Sequence, residues 1–169
     1  DVAMEEKCFQ TLYQSCDGVI IEFDAGREEP HSQTIDKINA RHLPVVSIVV
    51  KPSRLHTDLH VSVDAESIGR MAADVFHLGL SKGSSREIVV IGGTKGVDIH
   101  QRILLGFETA CSGYGLTIGD ILYSNDKTQN IPPLLQQALQ SHPGTAGVFV
   151  TNYLAYCVCQ ELKQTGRAD

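Results

Sequence analysis

The sequence predicts an α/β fold made of two Rossmann-like lobes with parallel sheets. Three observations predict it. Short β-branched runs recur along the chain without apolar–polar alternation, as strands buried on both faces of a parallel sheet require. Segments with helical apolar spacing separate those runs, and repeated strand–helix units give a doubly wound architecture with right-handed crossovers. One polar stretch, residues 51–60, carries no helical stripe. It reads as a crossover between lobes.

The elements follow in order. A helix fits residues 3–14. Gly18-Val19-Ile20-Ile21 is the first strand, a second helix fits 32–42, and Val45-Val46-Ser47-Ile48-Val49-Val50 is the second strand. After the crossover, Val61-Ser62-Val63 reads as a short strand. Ile68, Met71, Ala72, Val75 and Phe76 form the apolar stripe of a helix capped by Asp64. Ile88-Val89-Val90-Ile91, ending in Gly92-Gly93, precedes a helix with Ile99, Ile103, Phe107 and Ala110 on its stripe and Asp98 as its cap. Ile121-Leu122-Tyr123 is a strand, and Leu134, Leu135, Ala138 and Leu139 mark a helix begun by Pro132-Pro133. Gly147-Val148-Phe149-Val150 is the last strand, before a helix over 153–165 whose core takes the Tyr153-Leu154-Ala155-Tyr156 run. Residues 1–60 are therefore expected to form the later part of a first lobe, and 61–169 most of a second. The fold is expected to be incomplete. The first lobe has two strands before the crossover, a thin sheet, and the chain opens on a helix and stops where a strand is due.

Composition excludes several function classes. Of 169 residues, 20 are acidic and 14 basic, a formal charge of -6. That balance is wrong for gripping a nucleic-acid backbone or for a basic membrane-surface helix. Apolar residues make up 42% and charged ones 20%, a mix that folds rather than staying disordered. No run approaches the ~18 apolar residues of a membrane span, and the opening residues lack a signal-peptide pattern. Cys8, Cys16, Cys111, Cys157 and Cys159 are odd in number and match no disulfide framework. Reduced thiols in a cytoplasmic protein are the expectation.

Catalytic motifs are hard to assemble. Gly92-Gly93-Thr94-Lys95-Gly96 has neither GxGxxG spacing nor the Walker Lys-Ser/Thr pair. It reads as a turn that needs backbone freedom, placed where α/β ligands bind, beyond the carboxyl end of a strand. Ser112 is not in a nucleophile elbow. The histidines show no metal-ligand pairing; His56 and His60 flank the crossover as structural or solvated residues, and His77 reads as a surface or cap residue. No catalytic residue, metal or cofactor is expected, and the chain is not expected to be an enzyme. A nucleotide- or phosphosugar-processing enzyme on a doubly wound fold would need an activated nucleophile or a metal cluster.

Polar residues converge at strand ends, Gln101, Asn125, Lys127 and Thr151 among them; those taken for a site are Glu22 and Asp24, then Asp98, His100 and Arg102, then Asp126, then Asn152 and Tyr153. Carboxylates, amides and an Arg fork beside an aromatic face suit a polyhydroxyl ligand. These eight residues are the candidate ligand-binding set.

The order of these motifs resembles the effector-binding domain of the lac repressor family, itself similar to periplasmic sugar-binding proteins. The resemblance is carried by Cys16-Asp17-Gly18-Val19-Ile20-Ile21, Leu43-Pro44-Val45-Val46 and Val61-Ser62-Val63-Asp64 leading into Ile68-Gly69-Arg70-Met71-Ala72-Ala73. It continues through Ile88-Val89-Val90-Ile91-Gly92-Gly93, Arg102 with Gly106-Phe107, Ser141-His142-Pro143 and Gly147-Val148-Phe149-Val150-Thr151-Asn152. It implies a sugar or similar small effector bound between lobes joined by three crossovers, and side-by-side homodimers. DNA binding would pass through a headpiece that this sequence does not contain. Asn152 matches the family's cleft asparagine, and Glu22 and Asp24 match the rim of the first lobe. Two positions depart from the pattern. Ile103 occupies the slot of the family's cleft arginine, with Arg102 one step earlier, a rotation of ~100° on a helix. Val49 stands where an acid is common. The implied function is effector binding in a cytoplasmic bacterial transcriptional regulator. The alternative is a periplasmic sugar-binding protein of a transporter or chemoreceptor.

Overall fold

The computed structural model describes residues 2–22, 28–81 and 83–167. They form two compact units, divided between Val63 and Asp64.

The first unit runs α1 (Val2–Ser15), β1 (Val19–Glu22), a 3-10 turn at Glu29–His31, α2 (Ser32–Arg41), β2 (Val45–Ile48) and β3 (Leu59–Val61). Its strands lie in the order β1-β2-β3, all parallel. Val19 and Val45 pack against Phe9 of α1 and Ile35 and Ile38 of α2. His31 ties the two helices: its Nδ1 lies 2.9 Å from Glu6 Oε2, its Nε2 3.3 Å from Glu5 Oε2, and its ring stacks on Phe9.

Three expectations need correction here. The register places Ile20, Val46 and Leu59 side by side on the other sheet face, where Ile20 is 74% exposed and Leu59 and Val61 are also exposed. Burial on both faces therefore fails in this unit, because α1 and α2 cover one face. The strand expected at 61–63 lies instead at Leu59–Val61, pairing with β2 as a third strand, with Ser47 Oγ and His60 Nδ1 2.8 Å apart. The second strand ends at Ile48, not at residue 50. Val49 takes φ 64° and donates its N–H to Val61 O (3.0 Å), a conformation that a β-branched residue adopts only under constraint.

The polar stretch after β2 is held by Glu28. Its buried carboxylate accepts the backbone N–H groups of Ser53 (3.0 Å), Arg54 (3.0 Å) and Leu55 (3.4 Å), together with the Ser53 hydroxyl. Burial pushes this carboxyl's pKa up. The Ser53 hydroxyl and the three amides outweigh that and hold it below the ordinary value.

The second unit runs α3 (Ala65–Gly79), β4 (Glu87–Gly92), α4 (Asp98–Tyr114), β5 (Thr117–Tyr123), α5 (Ile131–Ser141), β6 (Thr145–Val150) and α6 (Ala155–Gln164). Its strand order is β5-β4-β6, again parallel. β4 is central, with Ile88, Val89, Val90 and Ile91 fully buried. Phe107, Ala73 and Cys111 fill one side of it; Ile131, Leu135, Leu154 and Val158 fill the other. Asp64 caps α3 as expected, accepting Ser67 N–H at 3.1 Å. α4 is different. Its N-cap is Val97, with Asp98 as the first helical residue and no side-chain cap bond. At the start of α6, the N-cap Leu154 is buried, whereas Tyr153 and Tyr156 are exposed, so the expected aromatic core of that run is absent.

The α3 stripe is also rotated from expectation. Met71 and Val75 are exposed, because α3 turns Ala65, Gly69 and Ala73 inward. A small-residue face wins over a larger apolar one because α3 and α4 touch backbone to backbone. A methyl on Gly69 would lie 2.0 Å from Ile103 O, and one on Gly106 would lie 2.0 Å from Glu66 O.

Candidate functional site

The carboxyl ends of β4, β5 and β6 are adjacent, since β4 pairs with both neighbours. Ladder bonds continue past the strands: Ser124 N donates to Gly92 O (2.9 Å) and Thr151 N to Ile91 O (3.1 Å). Three loops therefore leave the sheet at one place, and the sequence supplies each with a polar residue.

Asp126 joins them. Its Oδ2 accepts Thr94 N–H (3.0 Å) and the Thr94 hydroxyl (2.5 Å) from the loop after β4. Its Oδ1 accepts Asn152 Nδ2 (2.7 Å) from the loop after β6. Its backbone carbonyl accepts the Tyr153 hydroxyl (3.0 Å). Asn125 and Asp126 sit at φ 52° and 56°, the left-handed region that Asn and Asp tolerate best among residues with a Cβ. Burial raises the Asp126 pKa, but bonds from Thr94 and Asn152 and the nearby His100 imidazole leave it below the ordinary aspartate value.

Asn152 is equally committed. Its Nδ2 also points to Ser124 Oγ (3.3 Å), and its Oδ1 accepts Leu154 N–H (3.1 Å). His100 Nε2 lies 3.9 Å from Asp126 Oδ1, beyond hydrogen-bond reach. His100 Nδ1 is the buried side-chain polar atom without a partner among the described residues. Gly93 makes room for this arrangement, because a Cβ there would meet His100 Nε2 at 2.5 Å and Asp126 Oδ1 at 2.8 Å.

His100, Asp126, Asn152 and Tyr153 are thus brought together. Asp98 opens α4 and is exposed. Arg102 turns away: its Nε and Nη2 both lie 3.4 Å from Glu66 Oε1 on α3, while Ile103 is buried beside it. The one-residue offset in sequence therefore puts the guanidinium on the α3–α4 seam. Glu22 ends β1 in the first unit and is exposed; Asp24 lies outside the described residues. Thr94, Ser124, Thr151 and Glu28 were not among the expected site residues. Thr94 stands in the Gly-rich turn and Thr151 directly precedes Asn152, so position gave a signal for both. Glu28 had none, because its partners are backbone amides more than twenty residues away.

Chemically, the cluster is a set of hydrogen-bonding groups with no activated nucleophile in it. Among the described residues no group of His, Cys, Asp and Glu could hold a metal ion. Among the described residues no helix is long and apolar enough to cross a membrane. The five cysteines are free, and burial pushes the Cys111 thiol up to about 11.

A family model described as a periplasmic binding protein domain matches residues 3–169. Among solved structures, the chain is similar to GanP, a glucose-galactose binding protein from Geobacillus stearothermophilus (20% identity, TM-score 0.78, 99% of this chain and 59% of that one). It is similar to a periplasmic ribose ABC transporter protein from Conexibacter woesei (16%, 0.82, 99% and 56%). It is also similar to an ABC transporter solute binding protein from Burkholderia graminis in complex with D-arabinose (14%, 0.81, 99% and 57%). The chain spans well under two thirds of each of these structures. No curated protein sequence matches it. With the fold and nearly the whole length matched, the chain belongs to the periplasmic binding protein domain family.

Proposed function

We propose that this chain is the larger part of a sugar-binding protein that delivers its ligand to a transporter or chemoreceptor. The observation that carries the reading is the clustering of His100, Asp126, Asn152 and Tyr153 at the carboxyl ends of three parallel strands, where open α/β sheets take ligands. The similar structures support it: their names give a glucose-galactose binding protein, a periplasmic ribose ABC transporter and a solute binding protein in complex with D-arabinose. Binding without turnover fits a cluster whose polar groups are engaged with one another and offer no nucleophile. Asp98, exposed at the start of α4, is proposed to add an acceptor for sugar hydroxyls, and the binding event itself requires no cofactor. Calorimetry against D-ribose, D-arabinose, D-allose, D-galactose, D-glucose and D-fructose tests the reading. Saturable binding of at least one, weakened about tenfold or more by Asn152→Ala, is expected; heat-silent titrations with all six overturn it.

A second reading keeps the binding site and changes the output. Five free cysteines favour a reducing compartment, and with it the effector-binding domain of a lac-repressor-type regulator that pairs as a homodimer and meets operator DNA through a headpiece. Ligand would then have to change operator affinity, and operator would have to change ligand affinity by the same factor. Reciprocal coupling in a joint titration selects this reading over the transport one.

A further inference from the structure

Asp126 was expected to contact ligand. We infer instead that Asp126 is a positioning residue: it fixes the Asn152 carboxamide so that the oxygen, not the NH2, is the end with hydrogen-bonding capacity left for a ligand. The inference rests on the sugar-binding reading only for the identity of that ligand.

An ionised carboxylate only accepts, and a side-chain amide carries two donor hydrogens on nitrogen and two lone pairs on oxygen. Asp126 Oδ1 stands 2.7 Å from one atom of the Asn152 amide, so that atom must be the nitrogen. Ser124 Oγ takes the second direction from that nitrogen at 3.3 Å. Ser124 Oγ itself donates to Gly92 O at 2.9 Å, so it is free to accept there. Both Asn152 N–H directions are then used. The oxygen spends one lone pair on Leu154 N–H at 3.1 Å, and one lone pair remains. Asp126 is in turn held by the Thr94 backbone and hydroxyl on its other oxygen, so it cannot swing away without leaving two donors unmet. The point offered at Asn152 is therefore an acceptor, and it suits a hydroxyl that donates. A ligand carbonyl or ether oxygen at the same place gains nothing.

The test uses the ligand-free intact protein first. The Asn152 side-chain amide resonances are followed by NMR as pH is lowered. His100 also faces Asp126, so the step assigned to Asp126 is the one that disappears in Asp126→Asn, and its midpoint is expected below the ordinary aspartate value of about 3.9. In Asp126→Asn, which keeps the shape but can both donate and accept, that step should vanish, and hydrogen exchange at Thr94 N–H should speed up about tenfold to a hundredfold. Asn152 amide signals that do not titrate in the wild type overturn the placement, whether or not the variant folds. The second arm measures affinity for the six monosaccharides named above. A loss of at least about tenfold in Asp126→Asn, together with loss of the acid limb of the affinity profile, is expected; unchanged affinity and profile overturn the specificity role. If none of the sugars binds the wild type, the functional reading fails alone, because the NMR arm decides the placement without them.

Discussion

The α3–α4 crossing gives the sharpest prediction, because two physical effects point in opposite directions at it. Replacing a helical glycine by alanine normally stabilises a helix by about 0.8–1.0 kcal/mol. At Gly106 the new methyl would lie 2.0 Å from Glu66 O and 2.7 Å from Glu66 C, where ordinary contact begins at 3.4 Å. The obstacle is backbone inside a helix, so no side chain can rotate away, and the two axes must separate by roughly an ångström. Such overpacking costs about 1–3 kcal/mol, here at the upper end, because the separation also unpacks Phe107 and Ala73 from β4. The net loss is about 2 kcal/mol. At about 2–4 °C per kcal/mol for a chain of this size, Gly106→Ala should lower the unfolding midpoint by roughly 4–8 °C in a thermal melt followed by far-UV circular dichroism. Gly113 lies in the same helix, and a methyl there meets no described atom within 4 Å; Gly113→Ala should hold or raise the midpoint. Equal shifts in the two variants would refute the close-crossing argument, and equal rises would leave helix propensity as the explanation.

Three further outcomes follow from the same structure. Glu28→Gln should destabilise the first unit by about 1–3 kcal/mol, because three amides and a hydroxyl lose their charged acceptor; hydrogen exchange at Ser53 and Arg54 reads it directly, and unchanged protection there refutes it. Glu28 and Asp126 both ionise below their ordinary values, so their stabilisation is full above the unfolded pKa of about 4 and is lost as pH falls through the lower folded midpoints; the double variant Glu28→Gln/Asp126→Asn should flatten the acid limb of stability against pH, and an unchanged limb would assign it elsewhere. Exposed Cys8 and Cys159 should react with a thiol reagent at neutral pH well before Cys111, which is buried and pushed up to about 11; early modification of Cys111 by mass spectrometry would show that this core opens readily.

What the sequence revealed and what it hid follow a physical pattern. β4 was legible because an unbroken Ile-Val-Val-Ile run has one favourable place, the middle of a parallel sheet, and there it is fully buried. α3 was legible as a helix, and its Asp64 cap was correct, because capping is local. Its facing was not, because Gly69 and Ala73 were chosen by α4, a partner that periodicity in one segment cannot reveal. The same holds for Val49, whose left-handed turn answers to Val61 in the next strand, and for Glu28, which serves a distant loop. At the site, the residue types at strand ends were readable; which of them bind each other was not. Arg102 showed the sharpest consequence, since one helical step moved it to Glu66.

That mutual binding bears on how such a site works. A polar group presented to a ligand must first be held in place, and ordering a side chain on binding costs about 0.5–1.5 kcal/mol each. Asp126, Thr94, Ser124, Tyr153 and Asn152 meet that cost during folding, through bonds between three loops leaving adjacent strands. A ligand arriving there need not order them. It also gains little from them directly, since most of their capacity is used. On the proposed function, the affinity of this unit for a ligand would come from few outward groups, the Asn152 oxygen among them. Discrimination between ligands would come from the fixed direction of those groups more than from the number of contacts. A cluster of eight freely rotating polar side chains would offer more bonds and less selectivity.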